Sequence, residues 1–186
     1  MKFDAAERPV LLLRMLVALL LIAVAAAVRI APHPWNFTLV GAMALFSGAV
    51  IRDRRVAFAF PLLALFVGDL FVGIHVLMPV VYASYAANIA IGLWLRDHRT
   101  TLRIGLATFV GALQFFLITN FAVWRYFETF PKTLAGLGAC YVTALPLFWN
   151  TLAGDAAYAA LLFGGYALAE RYLQTREPVA GASHGD

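Results

Sequence analysis

The chain has 186 residues, 63% hydrophobic and 13% charged. It therefore lacks the polar shell of a water-soluble globule, in which about a quarter of residues are charged, and lipid is the expected solvent. One cysteine, Cys140, excludes an intrachain disulfide framework and a multi-cysteine metal site. The net charge of +4 does not point to nucleic acid, because the basic residues stand in short clusters between apolar runs, the pattern that sets membrane topology.

In chain order, apolar segments run over residues 10–28, 37–51, 56–75, 76–95, 104–124 and 147–169. Together they predict an all-α, polytopic, six-transmembrane-helix bundle formed by residues 1–176 as a single domain. The first segment also fits a signal peptide, with a basic start, an apolar run over 15–28 and "AVAAA" as a cleavage-like site; cleavage would leave five spans. The second segment covers only ~22 Å at a rise of ~1.5 Å per residue, short of a hydrocarbon core of ~30 Å. The third and fourth meet at "GIHVLMP", where Pro79 suits the first turn of a new helix. Residues 133–145 are apolar but brief and precede Pro146, which predicts a short interfacial helix in the last outer loop. The small, polar stretch 177–186 reads as a disordered tail.

Eleven of the fourteen Lys and Arg fall in the N-terminal stretch, the "RDRR" and "RDHRTTLR" loops and the stretch after the last segment. With six spans these share one side, which the positive-inside rule makes cytoplasmic, both termini included.

Polar side chains inside the segments are few. Asp69 interrupts "FPLLALFVGDLFVGIHVLMP", and counting from the segment ends sets it and Asp155 each ~10 Å below the outer surface. Asn88 lies ~14 Å after Pro79. Asn120 is near the outer end of the fifth segment, Asn36 and Asn150 open the second and sixth, and Arg29 flanks the first. Ser84, Tyr85, Asn88 and Gly92 share one helical face, as do Thr151, Asp155 and Tyr158. Gln114 and Asn120 sit roughly 120° apart on a helix and do not converge. Small residues recur four apart at Ala23, Ala27 and Ala31 and at Ala44 and Gly48, a spacing that lets helices pack closely in lipid. A structural reading stands beside the functional one: Asp69 and Asp155 pair with Arg29, Arg125 or backbone, and the asparagines bond helix to helix.

Catalysis is disfavoured, a membrane enzyme using Asp69 with His75 being the least favoured of three readings. There is no GxSxG, HExxH or Walker A sequence, and no catalytic residue, metal or cofactor is implied. An outward bowl of polar groups suits capture of a small solute, vitamin-like or cationic. Asp69 and Asp155 would accept hydrogen bonds, Asn36, Asn88, Asn120 and Asn150 would donate and accept, Tyr85 and Tyr158 would stack on a ring, and Arg29 would stand at the rim. The alternative is a structural or assembly subunit whose polar residues only hold helices together.

The blocks "APHPWNFTLVGAMALFSGA", "GDLFVGIH", "ITNFAVW", "PKTLAGLGACY" and "WNTLAGD" resemble an uncharacterised bacterial family of six-span, transport-type proteins. That family is similar to the substrate-binding S components of energy-coupling factor transporters. The resemblance implies an S-component-like fold in the bacterial inner membrane, and a separate coupling subunit with ATPases as partners. It marks Pro34, Asn36, Gly41, Gly68, Asp69, Asn120, Pro131, Lys132, Asn150, Gly154 and Asp155 as motif positions, and Ala23 and Ala27 match the spacing of an S-component docking pair.

Overall fold

A computed structural model describes residues 39–176, together with Leu16, Leu20 and Phe37. The rest of the first expected span, its alanine pair, Arg29, Asn36 and the tail at 177–186 lie outside the described residues. Among the described residues there are five helices and no strand: α1 (Val40–Val50), α2 (Arg54–Val72), α3 (Met78–Leu95), α4 (Thr101–Tyr126) and α5 (Leu134–Arg176).

The helix starts are set locally. The Asp53 carboxylate accepts the N–H groups of Arg55 (2.7 Å) and Val56 (3.3 Å) at the start of α2. The Thr100 hydroxyl accepts the Arg103 N–H at 3.3 Å in α4, and the Thr133 hydroxyl accepts the Gly136 N–H at 3.1 Å in α5. Each satisfies donors that a helix N-terminus leaves orphaned. Pro79 stands in the first turn of α3, where its missing N–H costs nothing. At Gly73 the backbone takes a φ of +112°, a conformation that L side chains rarely adopt, so α2 stops there and the chain turns into α3.

The core is α1. Every residue from Leu39 to Ala49 is buried, and α1 packs against each of the other four helices. Around it α2, α3, α4 and α5 form an arc of successive neighbours, and α2 and α5 make no contact with each other. The closest approach is between α1 and α3. A Cβ on Gly48 would overlap the Ile89 carbonyl oxygen, and one on Gly92 would overlap that of Leu45. Small residues here let two backbones touch, which is how helices associate where hydrophobic burial gives no net drive. The Ser47 hydroxyl adds a buried bond of 2.7 Å to the Ala57 carbonyl on α2.

The outward faces are apolar. On α4, Leu102, Leu106, Phe109, Val110, Leu117, Ile118 and Phe121 are all exposed, which in water would be a large unfavourable patch. Among the described residues, three helices are long and apolar enough to cross a membrane: α3, α4 and the Leu134–Tyr172 part of α5. Helix α1 is apolar but too short; its 11 residues reach only ~16 Å. The chain therefore has the character of a helical membrane protein.

The interfacial helix expected at 133–145 does not stand apart. Pro146 lies inside the continuous 43-residue α5. A proline removes one intrahelical bond, but α4 holds the helix on both sides of the gap. Before it, the Tyr141 hydroxyl donates to the Leu117 carbonyl at 2.8 Å and the Cys140 thiol to that of Asn120 at 3.5 Å. Across it, the Phe116 ring packs on both Tyr141 and Phe148, with centroids 5.5 and 5.0 Å away. The continuity also changes depth. Asp155 now sits ~31 Å along α5 from Leu134 and packs near Thr108, ~10 Å from the start of α4.

Candidate functional site

Asp155 is 3% exposed and meets the N-terminus of α1. Its Oδ1 accepts the Ala42 N–H at 3.0 Å, and the Gly41 N–H reaches the same carboxylate. Leu39, at the N-cap position of α1, has no side chain able to bond there. Asp155 supplies that cap from a distant helix, its carboxyl oxygen standing at the positive end of the α1 dipole. Gly41 is required by this contact, because a Cβ there would overlap the carboxylate.

Arg96 holds the other end of α1. Its Nη2 donates to the carbonyls of Gly48 (3.1 Å) and Ile51 (2.6 Å), and its Nη1 to that of Arg52 (3.1 Å). A guanidinium thus meets the negative end of the dipole.

Between α3 and α4 lies an amide cluster. Gln114 Nε2 donates to Asn88 Oδ1 and to the Ser84 carbonyl, each at 2.9 Å. Asn88 and Ser84 are 2% and 1% exposed, yet the Ser84 hydroxyl and Gln114 Oε1 are buried with no partner. Asn88 and Asp155 face a common crevice with Gly41, Thr108 and Gly111, which is too narrow to admit a water molecule.

The remaining candidates are dispersed. Asp69, also buried, accepts from the Tyr82 hydroxyl at 2.8 Å, on α2, which does not touch the helix of Asp155. The side chain of Asn120 turns back on its own helix and donates to the Phe116 carbonyl at 2.8 Å. Tyr85 packs on Phe115 with ring centroids 4.9 Å apart, and Tyr158 on Phe37 at 5.9 Å. Asn150 is half-buried on α5. The single shared bowl expected from depth counting is replaced by one cluster joining Asn88 and Asp155 and by separate positions for Asp69 and Asn120. Sequence reasoning missed Gln114, Tyr82 and Arg96. A lone amide in the middle of α4 was the available signal for Gln114; comparing it with Asn120 on its own helix, rather than with Asn88 on the neighbour, conceals it.

At the end of α4 away from its basic start, Lys132 Nζ donates to the carbonyls of Trp124 and Phe127, and the Trp124 indole N–H donates to the Pro131 carbonyl at 2.9 Å. Pro131 and Lys132 close the C-terminus of α4 onto the start of α5. At the opposite, arginine-bearing end, a cavity of about 740 Å³ opens between the α3–α4 turn and α5.

A profile described as a family of unknown function (DUF6580) matches residues 11–178. The chain belongs to that family. No curated protein and no solved structure matches. The part matched to DUF6580 contains both ends of the α1 cap, the amide cluster and the Lys132 turn, so the whole arrangement falls within the family's own domain.

Proposed function

We propose that the protein is an integral membrane transport protein or substrate-binding subunit that captures a small, nitrogen-bearing solute between α3 and α4. The observation that carries this reading is the pair of buried polar atoms, Ser84 Oγ and Gln114 Oε1, left without partners beside Asn88. Among apolar helices an unsatisfied buried acceptor costs on the order of 1–3 kcal/mol, and polar groups within a membrane are by default functional candidates. Gln114 Oε1 is an acceptor, the Ser84 hydroxyl can donate or accept, and a solute bearing N–H groups satisfies both.

In this reading the bundle has six spans, like an S component, with both termini in the cytoplasm of a bacterium and the basic end of α2–α5 facing inward. Energy comes from a separate coupling subunit and its ATPases. Entry requires α3 and α4 to part, since the adjoining crevice is closed. The chain acts as a carrier rather than an enzyme.

Native mass spectrometry of the purified protein tests this. A co-purified low-mass molecule carrying N–H groups, lost on Gln114→Leu while the variant stays monodisperse, is the expected result. Equal retention by the variant, or no small molecule held by the wild type, overturns it.

One observation favours the alternative of a structural subunit for part of the set. Asp155 is committed to the end of α1, so in that role it holds helices rather than solute.

A further inference from the structure

The cavity at the basic end lies where α3 ends and α4 begins, at the level where apolar helix gives way to polar turn. Arg96, Asp97 and Arg99 line it from the turn and Glu170 and Arg171 from α5. Its floor is apolar, formed by Ile104 of α4 and by Ala159 and Phe163 of α5, both buried. Along α5 the wall is small: Ala160, Gly164 and Ala167 succeed one another at spacings of four and three, and a Cβ on Gly164 would meet nothing within 4 Å. A charged rim therefore continues into a shallow apolar channel.

Arg96 is committed to the end of α1, which leaves Arg99 and Arg171 as the guanidinium groups at the rim, beside Asp97 and Glu170. Glu170 is partly engaged by the Tyr166 hydroxyl, which also contacts Arg99. The Arg99 guanidinium lies 5.8 Å from the Tyr166 ring centroid, and Arg171 is exposed. About 740 Å³ is within the ordinary range of small-molecule pockets, roughly 300–1,000 Å³.

We infer that this cavity binds an anionic glycerophospholipid, its phosphate between Arg99 and Arg171 and one acyl chain on the Ala160–Gly164–Ala167 channel. A basic pocket between helices at the cytoplasmic surface suits anionic headgroups, and each Arg near that surface strengthens binding about fivefold. Planar guanidinium groups also match phosphate oxygens two at a time. The apolar floor selects a lipid over a free phosphate, because only an amphiphile fills both parts.

The test titrates delipidated, detergent-solubilised full-length protein with dioleoyl phosphatidylglycerol, dioleoyl phosphatidylcholine and inorganic phosphate, read by native mass spectrometry. Wild type is expected to prefer phosphatidylglycerol to phosphatidylcholine by about tenfold, and Arg99→Gln/Arg171→Gln to lose that preference. Should the double variant fail to fold, Arg171→Gln alone, at an exposed position, carries the same test with about a fivefold loss expected. Gly164→Leu fills the channel and is expected to weaken phosphatidylglycerol. Equal affinity for the two lipids, an unchanged preference in the arginine variants, or inorganic phosphate competing as well as the lipid overturns the inference. So does a protein segment, rather than lipid, captured by a photocrosslinker attached at Ala167→Cys.

Discussion

Asp155 and Arg96 hold the two ends of one short helix. The carboxylate takes the Ala42 N–H at the start of α1, and the guanidinium takes the Gly48 and Ile51 carbonyls at its finish. Helix α1 has only 11 residues and packs against the other four helices, and side chains from the end of α3 and from α5 meet the orphan groups at its two ends. Both side chains are hydrogen-bonded to the backbone of α1, the carboxyl at its positive end and the guanidinium at its negative end.

Asp155→Ala is expected to remove the cap and lower stability by about 1–2 kcal/mol, the usual cost of a lost N-cap. Asp155→Asn keeps an acceptor oxygen and is expected to recover most of that loss. Thermal unfolding in detergent, followed by tryptophan fluorescence, checks the order wild type, Asn, Ala. An Asn variant as unstable as the Ala variant would show that charge against the dipole, rather than the hydrogen bond, dominates.

Gly92→Ala drives a methyl group into the Leu45 carbonyl and must separate α1 from α3. Overpacking of this kind costs roughly 1–3 kcal/mol. Gly105 is a matched control, since a Cβ there meets nothing within 4 Å. Gly105→Ala is expected to be neutral or to stabilise α4 by up to about 1 kcal/mol. Yield of monodisperse protein and unfolding midpoint should move in opposite directions for the two variants.

Ser84→Ala separates a binding role from a structural one. The hydroxyl has no protein partner, so its removal is expected to leave the unfolding midpoint unchanged or raised. If the solute uses that hydroxyl, its affinity falls by roughly tenfold, the value of one hydrogen bond of about 1.4 kcal/mol. Titration with the molecule found in the wild-type protein measures this, and unaltered affinity would remove Ser84 from the site.

Lys132→Met deletes the donor that closes α4 at Trp124 and Phe127 while keeping the length of the side chain. Two carbonyls lose a charged partner, and an expected loss of about 1–2 kcal/mol follows. Limited proteolysis between residues 127 and 133 should speed up, with the α3–α4 turn unaffected.

Composition and periodicity pointed to an all-helical chain of membrane character, because both are properties of single segments. The stripe Ser84, Tyr85, Asn88 and Gly92 was legible on those grounds, and all four are buried in α3. So was the start of α3 around Pro79, since a missing N–H and a fixed φ act locally. The Ala44 and Gly48 spacing indicated close packing, although not the partner, which Gly92 provides. Only the tertiary structure decided which polar groups meet. Gln114 finds Asn88, Tyr82 finds Asp69, and Asp155 finds the backbone of α1, each across helices whose adjacency and register no single segment encodes. Pro146 shows the same limit from the other side. Its local preference is to end a helix, but packing of Tyr141 and Phe148 on Phe116 carries α5 through it, and that continuity moves Asp155 away from the level of Asp69. Local chemistry set the helix starts at Asp53, Pro79 and Thr100, while contacts between helices decided that α5 runs on through Pro146 and what the few polar side chains face.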